Sequence, residues 1–175
     1  MEGHIGIGVI WLNTRHASPN KPSNFSWLIK GKLAGSARPG NEAQLQWLRD
    51  AGIRAIVCMN KELPLEEKKV EALHFEYRFI PVKDFSAPMI EDMKEFVEFV
   101  DEMIGQNMPV LACCGAGIGR TGTMLASYLV SKCLSPEDAL KKVEEKRGFA
   151  VESYAQRQAI FEYARQIGKC GKIRL

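Results

Sequence analysis

Apolar positions along the chain follow two periods. Short apolar or β-branched runs of strand length lie at Trp27–Leu33, Arg54–Met59, His74–Val82 and Val110–Cys114, the third with apolar and polar residues alternating. Stretches with helical spacing lie between them. Glu42–Ala51 is one, closed by Gly52 at a C-cap position; Leu65–Leu73 is short and charged; Met89–Gln106 places Phe96, Phe99, Val100 and Met103 on one face. After Val110–Cys114 comes a glycine-rich turn, Gly115–Gly122, and the pattern predicts a helix Thr123–Lys132 starting directly from it. Ser135-Pro-Glu-Asp138 carries a Ser N-cap, Pro at the first helical position and an acidic first turn, for a helix reaching Lys146. Ser153 with Gln156 three residues later has the capping-box pattern of a last helix running to about Ile167. Strands alternating with helices predict an α/β layered fold.

Length and charge narrow the function classes. The chain has 175 residues, enough for one domain with a sizeable core. Residues 1–23 show no sustained period, and Pro19 and Pro22 interrupt any helix there, so they read as an N-terminal arm or extension ahead of a domain at 24–170. Hydrophobic residues make up 46% and charged residues 26%, which excludes global disorder. A net charge of +3 is too weak to make nucleic acid or an anionic membrane the expected partner. Any affinity for phosphate must then be local. The longest uncharged stretch, Met103–Gly119, contains Pro109 and four glycines and could not form a bilayer-spanning helix. Five cysteines without CxxC spacing and three histidines fit neither a disulfide framework nor a zinc cluster. Met1–Leu12 lacks a basic start and an A-x-A site, so no signal peptide and a cytoplasmic location are expected.

The glycine-rich turn carries the candidate chemistry. Cys114-Gly-Ala-Gly-Ile-Gly-Arg-Thr-Gly122 joins a predicted buried strand to a predicted helix, where backbone N–H groups converge at the positive end of a helix dipole. Glycines at 115, 117 and 119 relax the backbone, so Gly115, Ala116, Gly117, Ile118 and Gly119 can line a phosphate-sized hole. Cys114 at its floor is a candidate thiolate nucleophile. Arg120 can grip two phosphate oxygens with its planar fork, and Thr121 brings a hydroxyl close to the sulfur. Two other readings use the same residues. Gly117-Ile-Gly-Arg-Thr-Gly122 satisfies the dinucleotide pattern G-x-G-x-x-G, but no second strand ending in an acid follows about 20 residues on. A nucleotide P-loop would need Lys where Arg120 stands.

Cys114–Thr121 resembles the signature loop of cysteine-based protein tyrosine phosphatases. Asn24-Phe-Ser-Trp, Lys32-Leu-Ala-Gly-Ser-Ala-Arg-Pro39, Val82-Lys-Asp-Phe-Ser-Ala-Pro88, Gly119 to Val130 and Val151-Glu-Ser-Tyr-Ala-Gln156 extend the similarity to small atypical dual-specificity phosphatases over roughly 24–168. The resemblance implies a central mixed sheet flanked by helices, with the phosphate-binding loop between a buried strand and a helix. It implies phosphomonoester hydrolysis through a cysteinyl-phosphate intermediate, without metal or cofactor. Cys114 would attack phosphorus while the loop amides and Arg120 hold the equatorial oxygens. Asp84 matches the general acid, in a loop that Pro81 and Pro88 would stiffen. Asp84, Glu152 and Gln156 are the candidates for orienting water in the second step, with helix capping the alternative role of Gln156. The uncharged loop interior points to phosphoproteins or simple phosphomonoesters rather than polyanions, and the resemblance implies a shallow cleft that accepts phosphotyrosine and phosphoserine or phosphothreonine. A non-catalytic phosphopeptide-binding module is the alternative.

One position departs from the family. His usually precedes the nucleophile; here it is Cys113, either a redox partner of Cys114 or a small strand residue facing away from it. His4, His16 and His74 lie in no motif, and Cys58, Cys133 and Cys170 read as core strand, helix end and tail.

Overall fold

The computed structural model describes residues 19–168. His4, His16, Cys170 and most of the expected N-terminal arm therefore lie outside the described residues. Five strands, β1 (Ser26–Ile29), β2 (Leu33–Ala37), β3 (Ala55–Asn60), β4 (Glu76–Val82) and β5 (Val110–Cys114), form one sheet in the order β1-β2-β5-β3-β4. Only the β1–β2 pair is antiparallel, which makes the sheet mixed. The helices are α1 (Glu42–Asp50), α2 (Glu67–Ala72), α3 (Ile90–Gly105), α4 (Gly119–Ser131), α5 (Pro136–Arg147) and α6 (Tyr154–Gln166).

Val110-Leu-Ala-Cys-Cys114 is short and apolar at every position, so it can be covered on both faces. It becomes the central strand β5, with all five residues buried. Val110, Ala112 and Cys114 face a core built with Met93, Phe96 and Val100 of α3 and Met124 and Leu125 of α4. Leu111 and Cys113 face a second core with Leu45 and Leu48 of α1, Ile56, Cys58 and Val70. A fully buried side chain such as Phe96 contributes ~1.5–3 kcal/mol to these layers. The period-2 alternation also decides the cysteine question. Cys113 and Cys114 lie on opposite faces of the sheet, so Cys113 is the strand residue facing away.

Two expectations need correcting. Trp27–Leu33 is not one strand: Lys32 N donates to Ile29 O at 3.0 Å, and Gly31 takes φ +70°, closing a hairpin turn between β1 and β2. The helix expected from Thr123 starts at Gly119, so Arg120, Thr121 and Gly122 belong to its first turn. Gly122 N already bonds Ile118 O at 2.7 Å. Gly122 permits this start, because a Cβ there would lie 1.5 Å from Ala150 O. Two residues ahead of Asn24 also pack on the domain. Pro22 is buried, and Ser23 O accepts from Ala37 N at 2.8 Å.

Candidate active site

β5 ends at Cys114 and α4 begins at Gly119, so the chain turns from the sheet centre into a helix N-terminus within four residues. Glycine is needed at 117, where φ is +74° and a Cβ would stand 2.2 Å from the Ser36 carbonyl carbon. Cys114 is buried at the start of this loop, and Arg120 is 3% exposed beside it. The hydroxyl of Thr121 is buried without a hydrogen-bond partner among the described residues. An orphaned hydroxyl in the first turn of α4 is suited to an anion at the helix end.

The Arg120 guanidinium is held from outside the loop. Nη1 donates to Glu62 Oε2 and to Val82 O, each at 2.8 Å. Nη2 pairs with Asp84 Oδ1 at 2.7 Å and lies beside Gly115, where a Cβ would be 3.3 Å away. Burial works against the Arg120 charge, but Glu62, Cys114 and Asp84 outweigh it and raise its pKa further. Glu62 also accepts from the backbone N–H of Asp84, at 2.7 Å. The Arg120 guanidinium and that N–H together hold Glu62 well below the carboxylate range, at about 2. Glu62 had no motif in the sequence. Its only signal was an acid at the end of a strand, two residues past β3.

Asp84 lies on the loop after β4, next to Phe85 at φ +57°. That loop is sewn to the start of α6. Ser153 Oγ lies 3.5 Å from Phe85 O, and Gln156 Nε2 donates to Ser86 O at 3.3 Å. Gln156 is fully buried, and its Oε1 accepts from Glu152 N at 2.9 Å. The expected capping box is thus half formed. Ser153 Oγ accepts from Gln156 N at 3.2 Å, but the Gln156 amide reaches Glu152 N rather than Ser153 N. Glu152 meets the loop itself, Oε2 accepting from Gly119 N at 2.9 Å. Asp84 thus reaches Arg120, and Glu152 reaches Gly119, at the far end of the turn that starts from Cys114.

On the far face of β5, Cys113 pairs in register with Cys58. Their mutual hydrogen bond and burial push the Cys113 thiol well up. Among the described residues, no three of His, Cys, Asp or Glu are placed to hold a metal ion, and no helix is long and apolar enough to cross a membrane.

A mixed five-stranded sheet, a Cys-to-Arg loop running from its central strand into a buried helix, and a carboxylate on the neighbouring loop define a protein of the cysteine-based phosphatase class. A family model described as "Polymorphic toxin system, DSP-PTPase phosphatase" matches residues 34–133. The chain belongs to this dual-specificity phosphatase family. It is 36% identical to human dual specificity protein phosphatase 9 over 123 residues, covering 69% of this chain and 31% of that protein. It is 31% identical to human dual specificity protein phosphatase 6 over 131 residues, covering 73% and 34%. The chain thus spans about a third of the length of these curated relatives. The solved structure of Tk-PTP in its active form superposes with a TM-score of 0.76 at 29% identity, covering 82% of this chain and 97% of that one.

Proposed function

We propose that the protein hydrolyses phosphomonoesters on phosphoproteins, phosphotyrosine and phosphoserine or phosphothreonine alike, through a cysteinyl-phosphate intermediate. One observation carries this reading: Asp84 Oδ1 stands 2.7 Å from Nη2 of Arg120, six residues after Cys114. A phosphate gripped by that guanidinium therefore lies within reach of a carboxyl group that can protonate its leaving oxygen. A binding module needs no such acid.

In the first step the Cys114 sulfur forms a bond to phosphorus as the P–O bond to the leaving group breaks. Asp84 passes its proton to the departing oxygen. Charge on the three equatorial oxygens is met by the loop amides from Gly115 to Ile118 and by Arg120, with Thr121 supplying a hydroxyl to the sulfur. In the second step water attacks phosphorus, its proton goes to the Asp84 carboxylate, and the thiolate leaves. Glu152 orients that water, a role supported by its bond to Gly119 N at the loop edge. Gln156 acts through others: both ends of its amide are engaged, so it sets the Asp84 loop against Glu152.

The surroundings of the loop support this substrate class. The loop interior carries no charge between Cys114 and Arg120. Phe85, on the loop that bears Asp84, and Tyr154, the first residue of α6 and two residues after Glu152, are 68% and 77% exposed and offer apolar surface to a peptide. Residues 24–170 form the catalytic domain, with Pro22 and Ser23 packed on it, and a thiol nucleophile suits a reducing, cytoplasmic setting.

Hydrolysis of p-nitrophenyl phosphate in EDTA tests the reading. Wild type is expected to be active and Cys114→Ser inactive, with a radiolabelled phosphoenzyme trapped by acid quench in wild type alone. Activity retained in Cys114→Ser would overturn the nucleophile assignment. An inert wild type that still binds a phosphopeptide would favour the binding module.

A further inference from the structure

Four consecutive carbonyls of the loop are each bonded by a donor from outside it. Arg38 N donates to Cys114 O at 2.7 Å and to Gly115 O at 3.3 Å. Asn24 Nδ2 donates to Ala116 O at 2.8 Å, and Arg147 Nη2 donates to Gly117 O at 2.6 Å. In a trans peptide the C=O of one residue and the N–H of the next point in opposite directions across a rigid plane. Tying those four carbonyls outward aims the N–H groups of Gly115, Ala116, Gly117 and Ile118 into the loop.

Two of the four ties come from side chains, and the Arg147 side chain also bonds the backbone carbonyl of Asn24. Arg147, the last residue of α5, is 8% exposed; its Nη2 also donates to Asn24 O at 3.2 Å, and its Nη1 to Ser26 Oγ at 2.9 Å. The space for it is left by Gly35 of β2, where a Cβ would stand 2.5 Å from Arg147 Nη1. Burial pulls the guanidinium down to about 10, with the Cys114 sulfur acting in the opposite direction, so the group stays charged at neutral pH. Asn24 holds φ +56°, a conformation that Asn tolerates better than most residues.

We propose that Asn24 and Arg147 are positioning residues for the reaction: a carbonyl clamp that holds the Ala116 and Gly117 peptides with their C=O groups outward, so that the following N–H groups meet the phosphate. Neither side chain touches substrate. The clamp joins the segment before β1 to the end of α5, 123 residues apart, and it links the shape of the anion hole to the seating of both. It rests on the reading of Cys114–Arg120 as a phosphate-binding loop.

The test compares wild type with Asn24→Gly, which drops the donor and keeps the positive φ, and with Arg147→Met and Arg147→Lys. Losing one aimed oxyanion donor lowers kcat by ~10²–10³ at other enzymes, and a donor left free to turn should lower it by about 10–100-fold. That drop in kcat on p-nitrophenyl phosphate is expected for Arg147→Met, with KM changed by less than about threefold. Asn24→Gly should show a smaller drop, and Arg147→Lys should recover part of the loss. Tungstate binding, followed by the ligand-induced rise in Tm, should weaken about tenfold in Arg147→Met and severalfold in Asn24→Gly. Variants that melt earlier but keep wild-type kcat and tungstate affinity would overturn the clamp. If Arg147→Met does not fold, the exposed Asn24→Gly decides alone. If wild type binds tungstate without turning over substrate, the proposed reaction fails, and the tungstate series still decides the clamp.

Discussion

Glu62 and Arg120 form a 2.8 Å ion pair across 58 residues, and the other oxygen of the same carboxylate accepts the backbone N–H of Asp84. One exposed side chain thereby fixes the Arg120 guanidinium, the proposed phosphate grip, relative to Asp84, the proposed acid.

Replacing Glu62 by Gln should therefore lower kcat on p-nitrophenyl phosphate about tenfold while changing KM less, because orientation rather than charge is lost at the reacting centre. The pair also has a pH signature. Glu62 is depressed from 4.5 to about 2, so its contribution to stability is fully present above pH ~4.5 and is lost as pH falls through the folded value. The Tm gap between wild type and Glu62→Gln should be constant from pH 7 to 4.5 and close towards pH 2. A gap that persists undiminished at pH 2 would contradict this.

Asp84→Asn removes the proposed proton donor and keeps the hydrogen-bonding shape. General acids contribute ~10²–10⁴ in rate, and the contribution grows as the leaving group becomes more basic. Turnover of phenyl phosphate should fall by about two to three orders of magnitude, and turnover of a nitrophenyl ester clearly less. Equal losses on the two substrates would remove Asp84 from the acid role.

Glu152 holds a loop amide that a phosphate oxygen would otherwise use, and it brings a negative charge to the rim of an anion hole. Glu152→Ala should bind tungstate severalfold more tightly and lower KM, while kcat falls if this carboxylate orients the water. Weaker tungstate binding, measured by competitive inhibition, would mean that the Glu152 contact builds the hole instead of competing for it.

Gly122→Ala places a methyl group against the Ala150 carbonyl, where an unshifted Cβ would stand 1.5 Å from the oxygen. Overpacking of this kind costs about 1–3 kcal/mol. Urea unfolding should show a loss of that size, and activity should fall as well, because displacing residue 150 disturbs Glu152 and Gln156 nearby. Wild-type stability would show that the α5–α6 connection gives way freely.

Much of the fold is legible in local pattern. The all-apolar run at Val110–Cys114 is β5 to the residue, and Ser135 and Ser153 cap α5 and α6, each accepting the N–H three residues on. The misses arose where local signals compete. Lys30-Gly31-Lys32 interrupts an apolar stretch, and the positive φ of Gly31 turns the apparent strand into a hairpin. Glycines 119 and 122 read as turn residues because glycine disfavours helices, yet close approach to Glu152 and Ala150 requires them inside the first turn of α4.

The candidate phosphate loop could be read from sequence because its parts, Cys114 through Thr121, are contiguous, and backbone freedom at glycine and the helix N-terminus act over a few residues. Asp84, Glu152 and Gln156 could be named only through family resemblance. What the tertiary structure alone decided is how those groups are held. Glu62, Asn24 and Arg147 carry no motif of their own, and each is placed by strand order and helix packing that bring residues 58, 92 and 30 positions apart into hydrogen-bond range. Such contacts depend on where whole elements dock, and short-range sequence pattern holds no record of that.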